Sequence, residues 1–211
     1  MKPPEVALQV AGPRSTRDLI LNAAERLFAE RGFAGVSMRD IVAETSLKNQ
    51  ASLYHHFDSK RTLYEAVLSR GLDHILSLLP EHGRAGDIDA NIDRLLDYLS
   101  GHPHLARLIQ RAGLDDTRYL QNALRQLLRP LYTQGRQALA GAEQLWQPEE
   151  VPHLAAGLYH LIFGYFANAA LLEAVVMEDP LSPAAVERQG RFLKAAVALL
   201  LGAKPKLEGE V

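Results

Sequence analysis

Apolar residues recur at helical spacing along almost the whole chain. Ile20, Ala23, Ala24, Leu27 and Phe28 stand at i, i+3, i+4, i+7 and i+8, one face of an amphipathic helix. The rhythm returns in Leu63, Val67, Ile75 and Leu79, in Ile88, Ile92, Leu95, Leu96 and Leu99, and in Leu105, Leu108 and Ile109. It continues through Leu120, Leu124, Leu127, Leu131 and Leu139, and again through Val186, Phe192, Leu193, Ala196, Val197 and Leu200. The spacing predicts an all-α fold of about nine helices. With 211 residues, 47% of them hydrophobic, the chain can bury a core as one large domain or two small ones.

Local signals set the helix ends. Ser15 and Asp18 form a capping pair at the start of the first helix, with Asp in place of the usual Glu. Gly32 ends that helix, because glycine adopts left-handed backbone at little cost. Ser37 and Asp40 repeat the pairing for a short second helix, in which Ile41 and Val42 face inward. "TSLKN" reads as a turn. A third short helix is expected over 49–56. Asp58 and Ser59 cap a fourth helix that runs to Leu79, and "PEHGRAGD" breaks it. "GHP" stops the fifth, and Pro103 suits the first position of a sixth. "GLDD" leads into a long seventh helix, kinked at Pro130. An eighth is expected over 149–178, and Ser182 caps the last. The chain divides into a loose arm (1–14), a head (15–62), a helical body (63–205) and a tail (206–211). The arm lacks the long apolar run of a signal peptide.

The head has three helices, the last two short and joined by a tight turn, which is the helix-turn-helix pattern. Its second motif helix opens "NQASLYHHFDSKRTLY". Leu53 and Phe57, at i and i+4, face inward. Gln50, Ser52, Tyr54 and His55 are left to face out. A glutamine or asparagine pairs bidentately with adenine, and tyrosine packs on a thymine methyl or bonds a phosphate. Lys60 lies in the first turn of the next helix, where free backbone N–H groups favour an anion. Residues 1–62 carry nine Lys or Arg against seven Asp or Glu, while the whole chain is at −2. A slightly basic head on an acidic body suits an anionic partner. On pattern alone, three amphipathic helices with solvated polar faces read equally well.

"TRDLILNAAERLFAERGFAGVSMRDIV" followed by "QASLYHHFDSKRTLYEAVL" resembles the DNA-binding domain of TetR-family (tetracycline-repressor-like) regulators. The resemblance covers residues 15–68. It implies that Gln50, Ala51 and Ser52 read bases and nearby backbone, and that Tyr54, His55 and Lys60 meet phosphates and base edges. It implies further backbone contacts at Ser37 and Arg39, and at Thr16 and Arg17. The turn departs from the family pattern: it has no glycine and is one residue longer. Lys48 and Asn49 therefore either extend the recognition surface or close the turn.

The same resemblance makes the rest of the chain a sensing and dimerising body, with the fourth helix as the mechanical link. The expected effector is a small, mainly apolar molecule, walled by Tyr98, Leu99, Leu108, Tyr132, Phe163 and Phe166. Projected at 100° per residue, the helix over 149–178 has a small side: Gly157, His160, Gly164, Ala167, Asn168 and Leu171. Tyr159, Ile162, Phe163, Phe166 and Glu173 lie opposite. We expect the small side, with Phe192, Ala196 and Leu200 of the last helix, to meet a second copy. Plain core packing on both sides is the alternative. The partners implied are a double-stranded palindromic operator, a homodimer mate and an effector.

Other classes fit less well. The stretch 154–177 is long enough to span a bilayer, but His160, Asn168 and Glu173 are costly in lipid. The chain has no cysteine, which excludes disulfides and thiolate metal sites and suits a reducing cytoplasm. His102 and His104 straddle a proline, and His153 and His160 lack carboxylates at ligand spacing, so no metal and no other cofactor is expected. No phosphate loop or nucleophile motif is present, and no enzyme is expected. A constitutive DNA-bound structural protein differs from a regulator in that its binding ignores small molecules.

Overall fold

The computed structural model describes residues 15–47, 49–78, 88–115, 129, 146–147 and 149–202. Among them are nine helices and no strand. They are α1 (Thr16–Arg31), α2 (Met38–Ala43), α3 (Gln50–Tyr54), α4 (Lys60–Leu78) and α5 (Ile88–Gly101). Then come α6 (Pro103–Asp115), α7 (Val151–Ala167), α8 (Ala169–Val176) and α9 (Pro183–Leu200). The expected long helix kinked at Pro130, and Tyr132 with it, lie outside the described residues, as do the 1–14 arm and the 206–211 tail.

The helix ends follow the local chemistry. Ser15 accepts from the Asp18 backbone N–H and donates to its carboxylate at 2.7 Å. Ser37 and Asp40 close a reciprocal capping box. Gly32 stops α1 at φ 73°, a backbone that side-chain-bearing residues rarely adopt. Ser59 accepts from the Thr62 backbone N–H and so caps α4. The glycine-free turn is closed by Thr45, whose hydroxyl donates to Val42 O at 2.9 Å and accepts from Leu47 N–H. Leu47 then packs on the core. A side chain here replaces the backbone freedom that glycine would supply.

One continuous apolar cluster runs from Ile20 and Phe28 in the head through Leu63, Leu72 and Leu105 to Phe166 and Leu193 in the body. Head and body share it because α6 packs along α1 as well as against α7. The seam between α4 and α6 is tight at Gly71, where any Cβ would collide with the Leu105 side chain. Arg70 on α4 ties the same seam to the head, donating to Asn22 Oδ1 at 2.9 Å and Glu25 Oε2 at 2.8 Å.

Two expectations are corrected. The single helix over 149–178 is broken at Asn168 into α7 and α8, bent by 76°. The Asn168 side-chain amide and its backbone N–H both donate to Gly164 O. Asparagine's habit of bonding nearby backbone is what makes it a poor helix interior. The projection at constant 100° therefore fails beyond Asn168, and Leu171 and Glu173 do not continue the two sides drawn for them. Ile88, expected inside, is 41% exposed at the start of α5. No single described helix is long and apolar enough to cross a membrane. The bent pair of α7 and α8 matches that test by length and composition alone.

Candidate nucleic-acid interface

The α3 helix is held by its back. Leu53 is fully buried and Phe57, just beyond the helix, is nearly so. Asn49 is the N-cap: its Oδ1 accepts from both the backbone N–H and the hydroxyl of Ser52, each at 3.0 Å. Ser52 is half-buried, so with Leu53 it forms the inner side. Gln50, Ala51, Tyr54 and His55 are exposed. At 100° per residue they make one contiguous outer face about 140° wide. Tyr54, a large ring, is 46% exposed.

The first motif helix and α1 border this face. Thr16, Arg17, Ser37 and Arg39 are all exposed. The Arg17 guanidinium lies 4.9 Å from the centre of the Phe57 ring, a cation–π seat that still leaves its N–H edges for an anion. Ser37 spends its hydroxyl proton on Asp40. That bond, and the Ser37 backbone N–H, hold the Asp40 carboxyl below the usual aspartate range. Arg26 pairs with Glu44 on the surface. Lys48 lies outside the described residues.

Lys60 departs from expectation. Its Nζ turns inward, donating to Phe33 O at 2.9 Å and Val36 O at 2.8 Å, and lies 4.3 Å from the centre of the Phe33 ring. Each bond is charge-assisted, because the ammonium is the donor. The side chain ties α4 to the head. No local signal in the sequence foretold it, because its partners stand 24 and 27 residues away.

A family model described as bacterial regulatory proteins, tetR family, matches residues 20–67. The match is confined to the head, α1 to the first half of α4. The HTH-type transcriptional repressor SCO4008 of Streptomyces coelicolor is 34% identical over 103 residues, 49% of this chain and 52% of that protein. The biofilm operon icaADBC HTH-type negative transcriptional regulator IcaR of Staphylococcus aureus is 32% identical over 83 residues, 39% of this chain and 43% of that protein. The chain thus spans about half the length of the curated relatives it matches. A solved transcriptional regulator from Aquifex aeolicus superposes with a TM-score of 0.63 at 18% identity, over 88% of this chain and 99% of that one. At that identity the likeness shows the fold.

Beyond the matched head, the expected effector-wall residues stand in packed surroundings. Leu99, Leu108, Phe163 and Phe166 are all buried in the shared core. Tyr98 is stacked on His74 and tilted against His102, with ring centres 4.1 and 4.2 Å away. Burial, and then the charge of Glu25, push its hydroxyl above the usual tyrosine range. A cavity of about 190 Å³ does lie among the described residues, but it is elsewhere, between Tyr165, Leu172, Pro180, Ala185 and Gln189.

The expected dimer residues divide. Gly157, His160, Asn168 and Leu171 are exposed, Gly164 is half-buried and Ala167 is buried. On α9 Phe192 is exposed, and Ala196 and Leu200 are half-buried. Among the described residues, a Cβ at Gly157 would meet nothing within 4 Å. Val175, Met177 and Leu199 are exposed too. The broken helix hid α8 and its following residues from the sequence projection. No group of three or more His, Asp or Glu stands together to hold a metal among the described residues.

Proposed function

We propose that this chain is a transcriptional repressor that binds a palindromic operator as a homodimer and releases it when a small, mainly apolar molecule enters the body. The observation that carries this reading is the outer face of α3: Gln50, Ala51, Tyr54 and His55 exposed together on a helix locked from behind by Leu53, inside the matched head. A helix so mounted suits the major groove. The relatives named as a repressor and a negative regulator support repression. Two heads in a dimer set about one duplex turn apart would read two half-sites.

The dimer is supported by the exposed large apolar side chains of α8 and α9, Leu171 at 64% and Phe192 at 53% among them. Apolar faces of this kind are costly in water and gain by mutual cover. Release is supported by the layout of α6, which touches α1 on one side and α7 on the other. A ligand entering beside Leu99, Leu108, Phe163 or Phe166 must displace packed side chains. It therefore favours a state with these helices moved, and the head moves with them through α6 and α4. The affinity lost for DNA equals the ligand's differential affinity for the two states.

Fluorescence anisotropy on labelled operator, titrated with a panel of apolar small molecules, tests this. We expect one class to weaken DNA binding by about 5-fold or more, and DNA to weaken binding of that molecule by the same factor. A ligand that occupies the body yet leaves DNA affinity unchanged would contradict release.

A further inference from the structure

We propose that the cavity between α7, α8 and α9 binds a neutral one-ring molecule carrying a hydroxyl, that is, a phenol. The site stands apart from the α3 face and from ligand entry beside Leu99, Leu108, Phe163 and Phe166, so it goes beyond the function proposed above. A gap beside packed core usually closes, because its lining loses contacts. Here the walls are tied back. The break at Asn168 turns α8 by 76° away from α7. Met177 ends α8 in left-handed backbone, φ 61°, which is uncommon for a residue with a side chain. The chain then folds back onto α7 and α9. Tyr165 donates its hydroxyl to Pro180 O at 2.8 Å. Arg188 Nη2 donates to both carboxylate oxygens of Glu178, at 2.6 and 2.7 Å.

The cavity volume is about 190 Å³, and a dry apolar cavity of about 150 Å³ admits benzene. One ring with a small substituent therefore fits. Tyr165, Leu172, Val176, Pro180 and Ala185 supply an apolar lining. Water there has few partners, and an apolar ring gains by displacing it. Two polar features fix the ligand's chemistry. Glu178 and Arg188 stand paired on the lining. A charged ligand meets a like charge there together with its opposite, and a neutral one avoids the repulsion. Gln189, also on the lining, spends its amide N–H on Leu161 O at 3.3 Å. Its Oε1 has no partner among the described residues. A hydroxyl is the donor that suits it.

The test is titration of the full-length protein with phenol, followed by the methyl resonances of Leu172, Val176 and Ala185. Phenol should shift all three to saturation. Ala185→Leu fills the cavity, and Val176→Trp blocks it from an exposed position. Each should weaken binding by about tenfold or more. The second variant changes no buried residue, so the test survives if the first fails to fold. Gln189→Met removes the acceptor and should weaken phenol by about tenfold. Benzoate should bind the wild type about tenfold more weakly than phenol. Shifts at none of the three methyls, or equal affinity in Val176→Trp, would overturn the site. Benzoate binding as tightly as phenol, or unchanged affinity in Gln189→Met, would overturn the ligand class. None of these readouts uses DNA, so their failure is distinct from a failure of repression.

Discussion

Tyr54 and Lys60 are six positions apart, and the fold uses them in opposite senses. Tyr54 projects from the outer face of α3 and contributes little to the core. Tyr54→Ala should weaken operator binding by about tenfold, equivalent to about 1.4 kcal/mol, with the melting temperature and dimer unchanged. Unchanged affinity would remove it from the contact surface. Lys60 is a tie within the head. Lys60→Met keeps the stem but leaves Phe33 O and Val36 O without their donor, at a cost of about 2 kcal/mol in thermal unfolding. The salt dependence of DNA binding separates the two roles. Removing a cation that touches a phosphate should reduce the slope of log affinity against log salt by about one. For Lys60→Met we expect the melting temperature to fall and the slope to hold.

At the scale of elements, the caps of α1 and α2 couple the head to pH. Hydrogen bonds from Ser37 lower the Asp40 carboxyl, and those from Ser15 lower Asp18. A carboxylate held low in the native state stabilises fully above its unfolded value, and that stabilisation is lost as pH falls through the native one. Melting followed from neutral pH to about pH 3 should show a loss of stability below the ordinary aspartate range. The acid limb should be shallower in Asp18→Asn/Asp40→Asn, and an identical limb would mean that the caps do not titrate with folding. These caps were legible in the sequence because each is complete within four residues, as were the α3 back face at Leu53 and Phe57 and the start of α6 at Pro103. The break at Asn168 was not. An apolar stripe sets a face but does not register one side chain competing for the Gly164 carbonyl. The inward turn of Lys60 and the bridge from Arg70 to Asn22 and Glu25 were equally hidden, since their partners are distant in the chain.

At the scale of the molecule, the described residues share one core, with α6 wedged between α1 and α7. The sequence pointed to α4 as the link, and α6 adds a second route that only packing discloses. Dimerisation belongs to this scale as well. Among the described residues, a Cβ at Gly164 would meet only Gln110 Nε2, at 3.7 Å, an ordinary van der Waals approach. Gly164→Trp should shift sedimentation toward monomer, with circular dichroism checking that the protomer stays folded. A stable dimer would remove this side of α7 from the interface. Everything proposed for the body presupposes that the head reads a specific duplex sequence. Recovery of genomic DNA fragments on the purified protein, at two salt concentrations, tests that directly. A palindrome with half-sites about one helical turn apart, retained at the higher salt, is the expected result. Sequence-independent binding that disappears as salt rises would contradict it.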